Sequence, residues 1–199
     1  MKKPNHSGSG QIRIIGGQWR GRKLPVPDSP GLRPTTDRVR ETLFNWLAPV
    51  IVDAQCLDCF AGSGALGLEF ASRGGTSVLI ERDPQNARNL SDVCAKLKAG
   101  DDAVVRRGDS LTLTRSYPER SFDVVFIDPP FAAGLHQSAL SAAARVLTDD
   151  GLIYLESPSE HEMPVPEDFA VLRSGSSGAV RYQLLARKAS PLADLAKED

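Results

Sequence analysis

From about residue 54 onward, the chain alternates short apolar segments typical of buried strands with segments of helical periodicity. Strands are expected over 55–60, 77–81, 103–108, 122–128 and 152–157, and helices over 65–73, 84–98 and 134–147. Because parallel strands need crossover connections and are buried on both faces, this alternation predicts a doubly wound, mostly parallel α/β sheet. A short irregular stretch is expected after the third strand. Residues 171–188 predict a closing antiparallel hairpin.

A smaller extension is expected before this core. Residues 11–27 alternate and contain the turn signal Gly16-Gly17, which predicts a β-hairpin with Ile12 and Ile14 on one face. A helix capped by Thr35 or Thr36 should follow, because one apolar face recurs at helical spacing in Val39, Leu43, Phe44 and Leu47. The expected organisation is a disordered tail over 1–10, an N-terminal extension over 11–48, a catalytic core over 50–188 and a flexible tail over 189–199.

Positive charge is concentrated near the N-terminus. The formal net charge of the whole chain is −1, but residues 1–40 contain nine lysines and arginines against two aspartates, so this segment is +7 and the remainder −8. A basic arm on an acidic body favours contact with nucleic-acid phosphates over a merely solvated tail. The residues expected at that contact are Arg20, Arg22, Lys23 and Arg38.

A glycine-rich loop joins the first core strand to the first core helix. Gly62, Gly64 and Gly67 form the pattern G-x-G-x-x-G, which lets a ligand approach the backbone at a helix N-terminus. Glu81 ends the next strand, 19 residues after Gly62, where a carboxylate can accept both hydroxyls of a ribose. This pattern fits NAD as well as S-adenosylmethionine.

The charge of Asp58 favours the second cofactor. A carboxylate just before the loop repels a pyrophosphate but attracts the ammonium and sulfonium groups of S-adenosylmethionine. The alternative is that Asp58 only organises the loop through backbone N–H groups.

Asp109 follows the third strand. Its carboxylate can accept a hydrogen bond from the adenine amino group, with the Ser110 N–H nearby, or it can cap a helix instead. The predicted cofactor-binding residues are Asp58, Phe60, Ala61, Gly62, Ser63, Gly64, Glu81, Asp109 and Ser110.

The fourth core strand runs into the tetrapeptide Asp128-Pro129-Pro130-Phe131 at the same sheet edge. Two prolines restrict the backbone and remove two N–H donors. If Asp128 and the Pro129 carbonyl each accept one N–H of an exocyclic amine, its lone pair can be aimed at a methyl group. Asp128 can also take the departing proton, and Phe131 offers a face on which a flipped base stacks. The alternative is a strand-terminating turn with a core phenylalanine.

Other site types find little support in the sequence. Cys56 and Cys59 form C-x-x-C, but there is no second pair to complete four zinc ligands, so we interpret them as buried apolar residues and expect no metal. No apolar run reaches the length of about 18 residues that a membrane span requires. No apolar segment follows the basic start, so no secretory signal is predicted. We expect a cytoplasmic monomer that binds no membrane.

Taken together, the motifs resemble class I methyltransferases that modify exocyclic amines. The N-terminal stretches IRIIGGQWRGRKLPVP and LRPTTDRVRETLFNWL are more specific and resemble the RsmD family of bacterial 16S ribosomal RNA guanine-N2 methyltransferases, over about residues 10–188. The resemblance implies a seven-stranded Rossmann-like sheet, S-adenosylmethionine as cofactor, and a guanine in the small ribosomal subunit as substrate. It also implies cofactor contacts by Asp58, Gly62, Gly64 and Glu81, and base contacts by Asp128 through Phe131.

Four alternatives remain. A DNA adenine-N6 methyltransferase could use the same tetrapeptide, although such enzymes usually need a sizeable target-recognition domain. A glutamine methyltransferase of release factors prefers Asn at the position of Asp128. A NAD-dependent oxidoreductase leaves the tetrapeptide unexplained. A non-catalytic RNA-binding protein would use the basic arm without a cofactor pocket.

Overall fold

The computed structural model describes residues 11–25, 36–160 and 163–197. An antiparallel ribbon pairs strand β1 (Gln11–Arg13) with β2 (Lys23–Pro25), and helix α1 (Asp37–Leu47) follows. The predicted hairpin and helix of the N-terminal extension are therefore present. The expected disordered tail over 1–10 lies outside the described residues.

A seven-stranded sheet forms the core, as the fold prediction requires. Its strands are β3 (Gln55–Asp58), β4 (Thr76–Glu81), β5 (Ala103–Arg107), β6 (Phe122–Ile127), β7 (Leu147–Pro158), β8 (Phe169–Ser177) and β9 (Val180–Arg187). The spatial order is β5-β4-β3-β6-β7-β9-β8. The five strands from β5 to β7 are parallel, while β9 runs antiparallel to both β7 and β8. The strand order reverses between β3 and β6, and ligands of doubly wound sheets bind at such a reversal.

Helices cover both faces of this sheet. They are α2 (Ala65–Ser72), α3 (Pro84–Leu97), α4 (Ser110–Ser116) and α5 (His136–Val146). The α1 and α2 side chains pack with Val124 and Phe126 on one face, and α5 packs with Val125 and Ile127 on the other. None of the helices in the described ranges combines the length and hydrophobicity that crossing a bilayer requires.

One local prediction was wrong. The stretch after β5 is the helix α4 rather than irregular, because the Asp109 side chain caps it by accepting the Thr112 N–H at 2.9 Å. The flexible tail over 189–199 stays a prediction, and within it Pro191–Lys197 form a 3-10 helix beside β8. Leu192 packs against the core there, and Ser190 is buried.

The helix α1 begins as predicted, with the Thr36 side chain accepting the Val39 N–H. Its apolar stripe is buried. One residue counted as part of the basic arm has a different role. Arg40 is fully buried and donates to the Arg13 carbonyl at 2.8 Å, so its charge does not face solvent.

The N-terminal ribbon is docked on α2 through polar contacts. The buried Glu69 carboxylate accepts the backbone N–H groups of Ile15 at 2.6 Å and Gly16 at 2.8 Å. Gly17 has a φ of +74°, and a Cβ there would lie 1.8 Å from the Ser72 carbonyl oxygen. Glycine is required at this position because both the backbone conformation and the close approach exclude a side chain.

Candidate active site

Four acidic residues lie at the carboxyl ends of four adjacent strands. In spatial order from β4 to β7 they are Glu81, Asp58, Asp128 and Glu156. The strand registers pair Asp58 with Leu79 on one side and Phe126 on the other, and Phe126 with Tyr154. Because side chains alternate along a strand, these registers place all four acids on the same face of the sheet. The two middle acids flank the reversal of strand order, where a ligand site is expected.

The glycine loop is held by two of these carboxylates. Asp58 accepts the Gly67 N–H at 3.0 Å, and Glu81 accepts the Gly62 N–H at 3.0 Å. The loop backbone adopts a left-handed conformation at Gly64, with a φ of +79°, where a Cβ would lie 2.5 Å from Leu90. The Ala61 N–H donates to the Ile80 carbonyl at 2.9 Å, which ties the loop to β4. Phe60 and Ser63 are partly buried in the same loop.

Burial changes the acidity of both carboxyl groups. Burial raises the pKa of Asp58 to about 7. Hydrogen bonds from the N–H groups of Gly67 and Phe60 lower this pKa, and the negative charge of Glu81 raises it. Burial also raises the pKa of Glu81, although the N–H groups of Asp83 and Gly62 lower it. A buried carboxylate of raised pKa is stabilised by a cationic ligand. The charge of the site therefore suits a cation better than an anion.

Asp109 and Ser110 lie beyond the end of β5. The Asp109 carboxylate is exposed and accepts both the N–H and the hydroxyl of Thr112, which lower its pKa. The helix-cap interpretation of Asp109 is therefore correct, and one of its oxygens is engaged in the cap. Ser110 is buried at the first position of α4.

The tetrapeptide turns away from the sheet directly after β6. Pro129 is buried, Pro130 is exposed, and Phe131 begins a 3-10 helix with 39% of its surface exposed. Burial raises the pKa of Asp128 well above its usual range, and the negative charges of Glu156 and Asp58 raise it further. A carboxyl group of raised pKa thus lies three residues before an exposed aromatic ring, between the ends of β3 and β7.

Three residues that the sequence analysis did not single out complete this edge. The buried Glu156 carboxylate accepts the Tyr154 hydroxyl at 2.7 Å. The His136 ring hydrogen-bonds to the Glu156 backbone, and its centroid lies 5.9 Å from that of Phe131. Glu156 ends its apolar strand segment much as Glu81 does, so the same sequence rule could have identified it.

The basic residues of the N-terminal extension lie on the surface. Arg20, Arg22, Lys23 and Arg38 are all exposed. Arg22 also donates to the Lys96 carbonyl at 3.2 Å, near the C-terminus of α3. A groove of about 410 Å³ lies between the ribbon and α3. We call it the basic groove, because its charged lining consists of Arg22, Lys23 and Lys96 against the single acid Asp92. A smaller groove beside it shares Pro25 and reaches Gly62 and Ser63. Since the two grooves also share Asn89 and Val93, the smaller one extends from the basic groove to the glycine loop.

The C-x-x-C pair is buried and unbridged. Burial raises the pKa of the Cys59 thiol to about 12 and raises that of Cys56 as well. Such thiols are not poised for redox chemistry. The interpretation as small buried apolar residues therefore agrees with their environment.

Comparisons with known proteins give a consistent result. The family model described as Conserved hypothetical protein 95 matches residues 12–186. The curated ribosomal RNA small subunit methyltransferase D of Escherichia coli strain K12 is 56% identical over 198 residues, which cover 98% of this chain and 99% of that protein. The protein of the same name from Haemophilus influenzae is 43% identical, over 92% of this chain and 98% of that protein. A solved E. coli structure described as a methyltransferase superposes with a TM-score of 0.82 at 51% identity, covering 91% of this chain and all of that one.

Proposed function

The chain belongs to the RsmD family of methyltransferases, and we propose that it transfers a methyl group from S-adenosylmethionine to the exocyclic N2 of a guanine in 16S ribosomal RNA. The substrate is an assembled or assembling 30S particle. Relatives of high identity are named for methylation of small-subunit ribosomal RNA. The observation that carries the proposal is the position of Asp128, three residues before the exposed Phe131 and close enough to Asp58, on the adjacent strand, to feel its charge.

The residues around the glycine loop fit S-adenosylmethionine chemically. Asp58 supplies a buried negative charge for a cationic ligand, and Glu81 supplies acceptors for ribose hydroxyls. Gly62 and Gly64 leave the backbone open to close approach, and Phe60, Ala61 and Ser63 complete the loop. Asp109 and Ser110 are the proposed contacts of the adenine. When bound, the cofactor supplies a methyl group already activated by its sulfonium.

Asp128 and the carbonyl of Pro129 hold the acceptor amine. An exocyclic amine is a weak nucleophile because its lone pair is conjugated with the ring. Two acceptors that bind its two N–H groups orient the lone pair out of the ring plane, and positioning of this kind accounts for much of the rate. When ionised, the Asp128 carboxylate is a stronger base than an exposed one, because its pKa is raised, and it can take the proton that leaves nitrogen. Pro130 stiffens the turn, and Phe131 stacks on the base.

The N-terminal extension binds the RNA backbone in this proposal. Arg20, Arg22 and Lys23 are exposed cations on the ribbon, which Glu69 of α2 holds through two backbone N–H groups, and Arg38 is an exposed cation on α1. The basic groove adjoins a second groove that reaches Gly62 and Ser63, so a strand bound in it would pass close to the glycine loop. Ribosomal RNA as substrate agrees with a cytoplasmic protein, and we expect it to act as a monomer.

Substitution of Asp128 tests the mechanism. Asp128→Ala removes both the acceptor and the base, so we expect methyl transfer to fall by at least about a thousandfold. Asp128→Asn keeps one acceptor oxygen and should retain intermediate activity. Both variants should bind S-adenosylmethionine within about threefold of the unsubstituted protein, because Asp128 holds the amine rather than the cofactor. Activity of Asp128→Ala equal to that of the unsubstituted protein would contradict the mechanism.

A further inference from the structure

Glu156 lies on the side of Asp128 that faces away from the glycine loop. The strand order β3-β6-β7 places Asp58, Asp128 and Glu156 in a row on one sheet face. If the cofactor lies over β3 and Asp128 holds the amine, the ring bearing that amine extends over β7. The Glu156 carboxylate is therefore the group that the ring edge next to the amine would meet.

The orientation of this carboxylate is fixed. The Tyr154 hydroxyl donates to its Oε1 at 2.7 Å, and both side chains are buried. Glu156 and Asp128 are also close enough for the charge on one to affect the other. Two carboxyl groups side by side present only acceptors when ionised.

A third acceptor lies near the tetrapeptide, on the His136 ring, whose centroid is 5.9 Å from that of Phe131. His136 is 5% exposed, and its ring hydrogen-bonds to the Glu156 backbone. Its Nε2 is buried and has no hydrogen-bond partner among the described residues. Burial lowers the His136 pKa, which favours a neutral ring with one nitrogen as an acceptor. Pro129 and Pro130 have no N–H, so neither of these two residues adds a backbone donor next to Phe131.

The bases differ in the group next to their exocyclic amine. Guanine has an N1–H donor beside its 2-amino group, whereas adenine has a lone pair on N1 beside its 6-amino group. Cytosine likewise has a lone pair on N3 beside its 4-amino group. A second carboxylate next to the amine site attracts the N1–H of guanine and repels the lone pairs of adenine and cytosine. An acceptor that faces a lone pair leaves both groups without a hydrogen bond.

We propose that Glu156 selects guanine by accepting its N1–H while Asp128 accepts one N–H of the adjacent amino group. This inference rests on the proposed function. Tyr154 is the positioning residue that holds the Glu156 carboxylate toward the base.

The test compares two bases that share the same 2-amino group. Product analysis first identifies the guanosine that the protein methylates. Small-subunit particles are then prepared with either unmethylated guanosine or 2-aminopurine riboside at that position. The analogue has a lone pair on N1 instead of a proton. For the unsubstituted protein, we expect kcat/KM to fall at least about tenfold from guanine to the analogue.

Glu156→Gln supplies an amide N–H that can donate to the N1 of the analogue. We expect it to lower kcat/KM for guanine and to bring the two bases within about threefold of each other. Tyr154→Phe keeps the carboxylate but releases its orientation, so it should weaken the preference for guanine without reversing it. Glu119→Gln is the matched control, because Glu119 is 74% exposed, and the preference should stay unchanged. Unchanged S-adenosylmethionine affinity in each variant shows that the protein is folded.

The outcomes separate the two proposals. A Glu156→Gln variant that lowers kcat/KM equally for both bases would overturn the selectivity role of Glu156 and leave the proposed function standing. An unsubstituted protein that accepts both bases equally would do the same. An unsubstituted protein that transfers no methyl group to the guanine-containing particle would overturn the proposed function, and this inference with it.

Discussion

The Arg40 guanidinium lies 3.7 Å from the Glu69 carboxylate, measured from Nη1 to Oε2, and neither side chain has any exposed surface. Arg40 also reaches Asp37 at 2.6 Å, and Glu69 accepts two N–H groups of the N-terminal ribbon. Glu69 lies on α2, whose N-terminus follows the glycine loop. One buried ion pair therefore joins the RNA-binding surface we propose to the helix that carries the cofactor loop.

Removing Glu69 should destabilise the whole protein. Glu69→Ala leaves Arg40 with Asp37 as its remaining carboxylate and removes the acceptor of the Ile15 and Gly16 N–H groups and of Arg73. Breaking a buried pair in this way costs about 3–5 kcal/mol. The urea-unfolding free energy measures this loss. Glu119→Ala is the control, because Glu119 is 74% exposed and lies 3.9 Å from Arg145. The control should change stability by less than about 1 kcal/mol. If both variants lower the free energy of unfolding by the same amount, the buried pair stabilises the protein no more than an exposed pair does.

Cofactor affinity should depend on pH through Asp58. The pKa of this group is raised to about 7, so its ionised form, which attracts a cationic ligand, appears only as pH rises through that value. We expect the Kd of S-adenosylmethionine to decrease between about pH 6 and 7.5, below the pH at which an α-amino group loses its proton. Isothermal titration calorimetry at several pH values measures this change.

The stability of the ligand-free protein should change in the opposite direction. A carboxyl group whose pKa is raised from 3.8 in the unfolded chain to about 7 in the fold favours the folded state when protonated. The stabilisation of the folded state by this group is therefore lost as pH rises from 3.8 to about 7. Asp58→Asn has no charge to titrate, so it should weaken cofactor binding at neutral pH and flatten both trends. A pH dependence of affinity that persists in Asp58→Asn would assign it to another group.

The sequence predicted the layout of this site well, because its signals are local. The glycine loop, Glu81 and the tetrapeptide each follow a strand, and the carboxyl ends of parallel strands meet at one edge. Glu69 and Arg40 could not be identified in this way. In the sequence, each looks like an ordinary exposed helix residue, and only the docking of the ribbon on α2 buries them together.

The helix α4 was missed because the run SLTLT alternates like a strand, while the cap from Asp109 acts at one position only.

Salt dependence should reveal which cations contact RNA. Each phosphate contact that is lost reduces the slope of log K against log salt by about 0.7–0.9. We expect Arg20→Ala combined with Lys23→Ala to reduce the slope for ribosomal RNA by about 1–2 in filter-binding assays. Arg22 is left intact, because its bond to Lys96 also docks the ribbon. Arg120→Ala is the control, since Arg120 is exposed just before β6 and pairs with Asp149. An unchanged slope in the double variant would exclude the ribbon from the RNA interface.

The central claim is tested most directly by methyl transfer from labelled S-adenosylmethionine to small ribosomal subunits purified from cells that lack this protein. The product nucleosides are then separated and identified. The account predicts label in N2-methylguanosine of the 16S RNA, and no label with the Asp128→Ala variant. Label in another nucleoside, or no label from a protein that binds the cofactor, would contradict it.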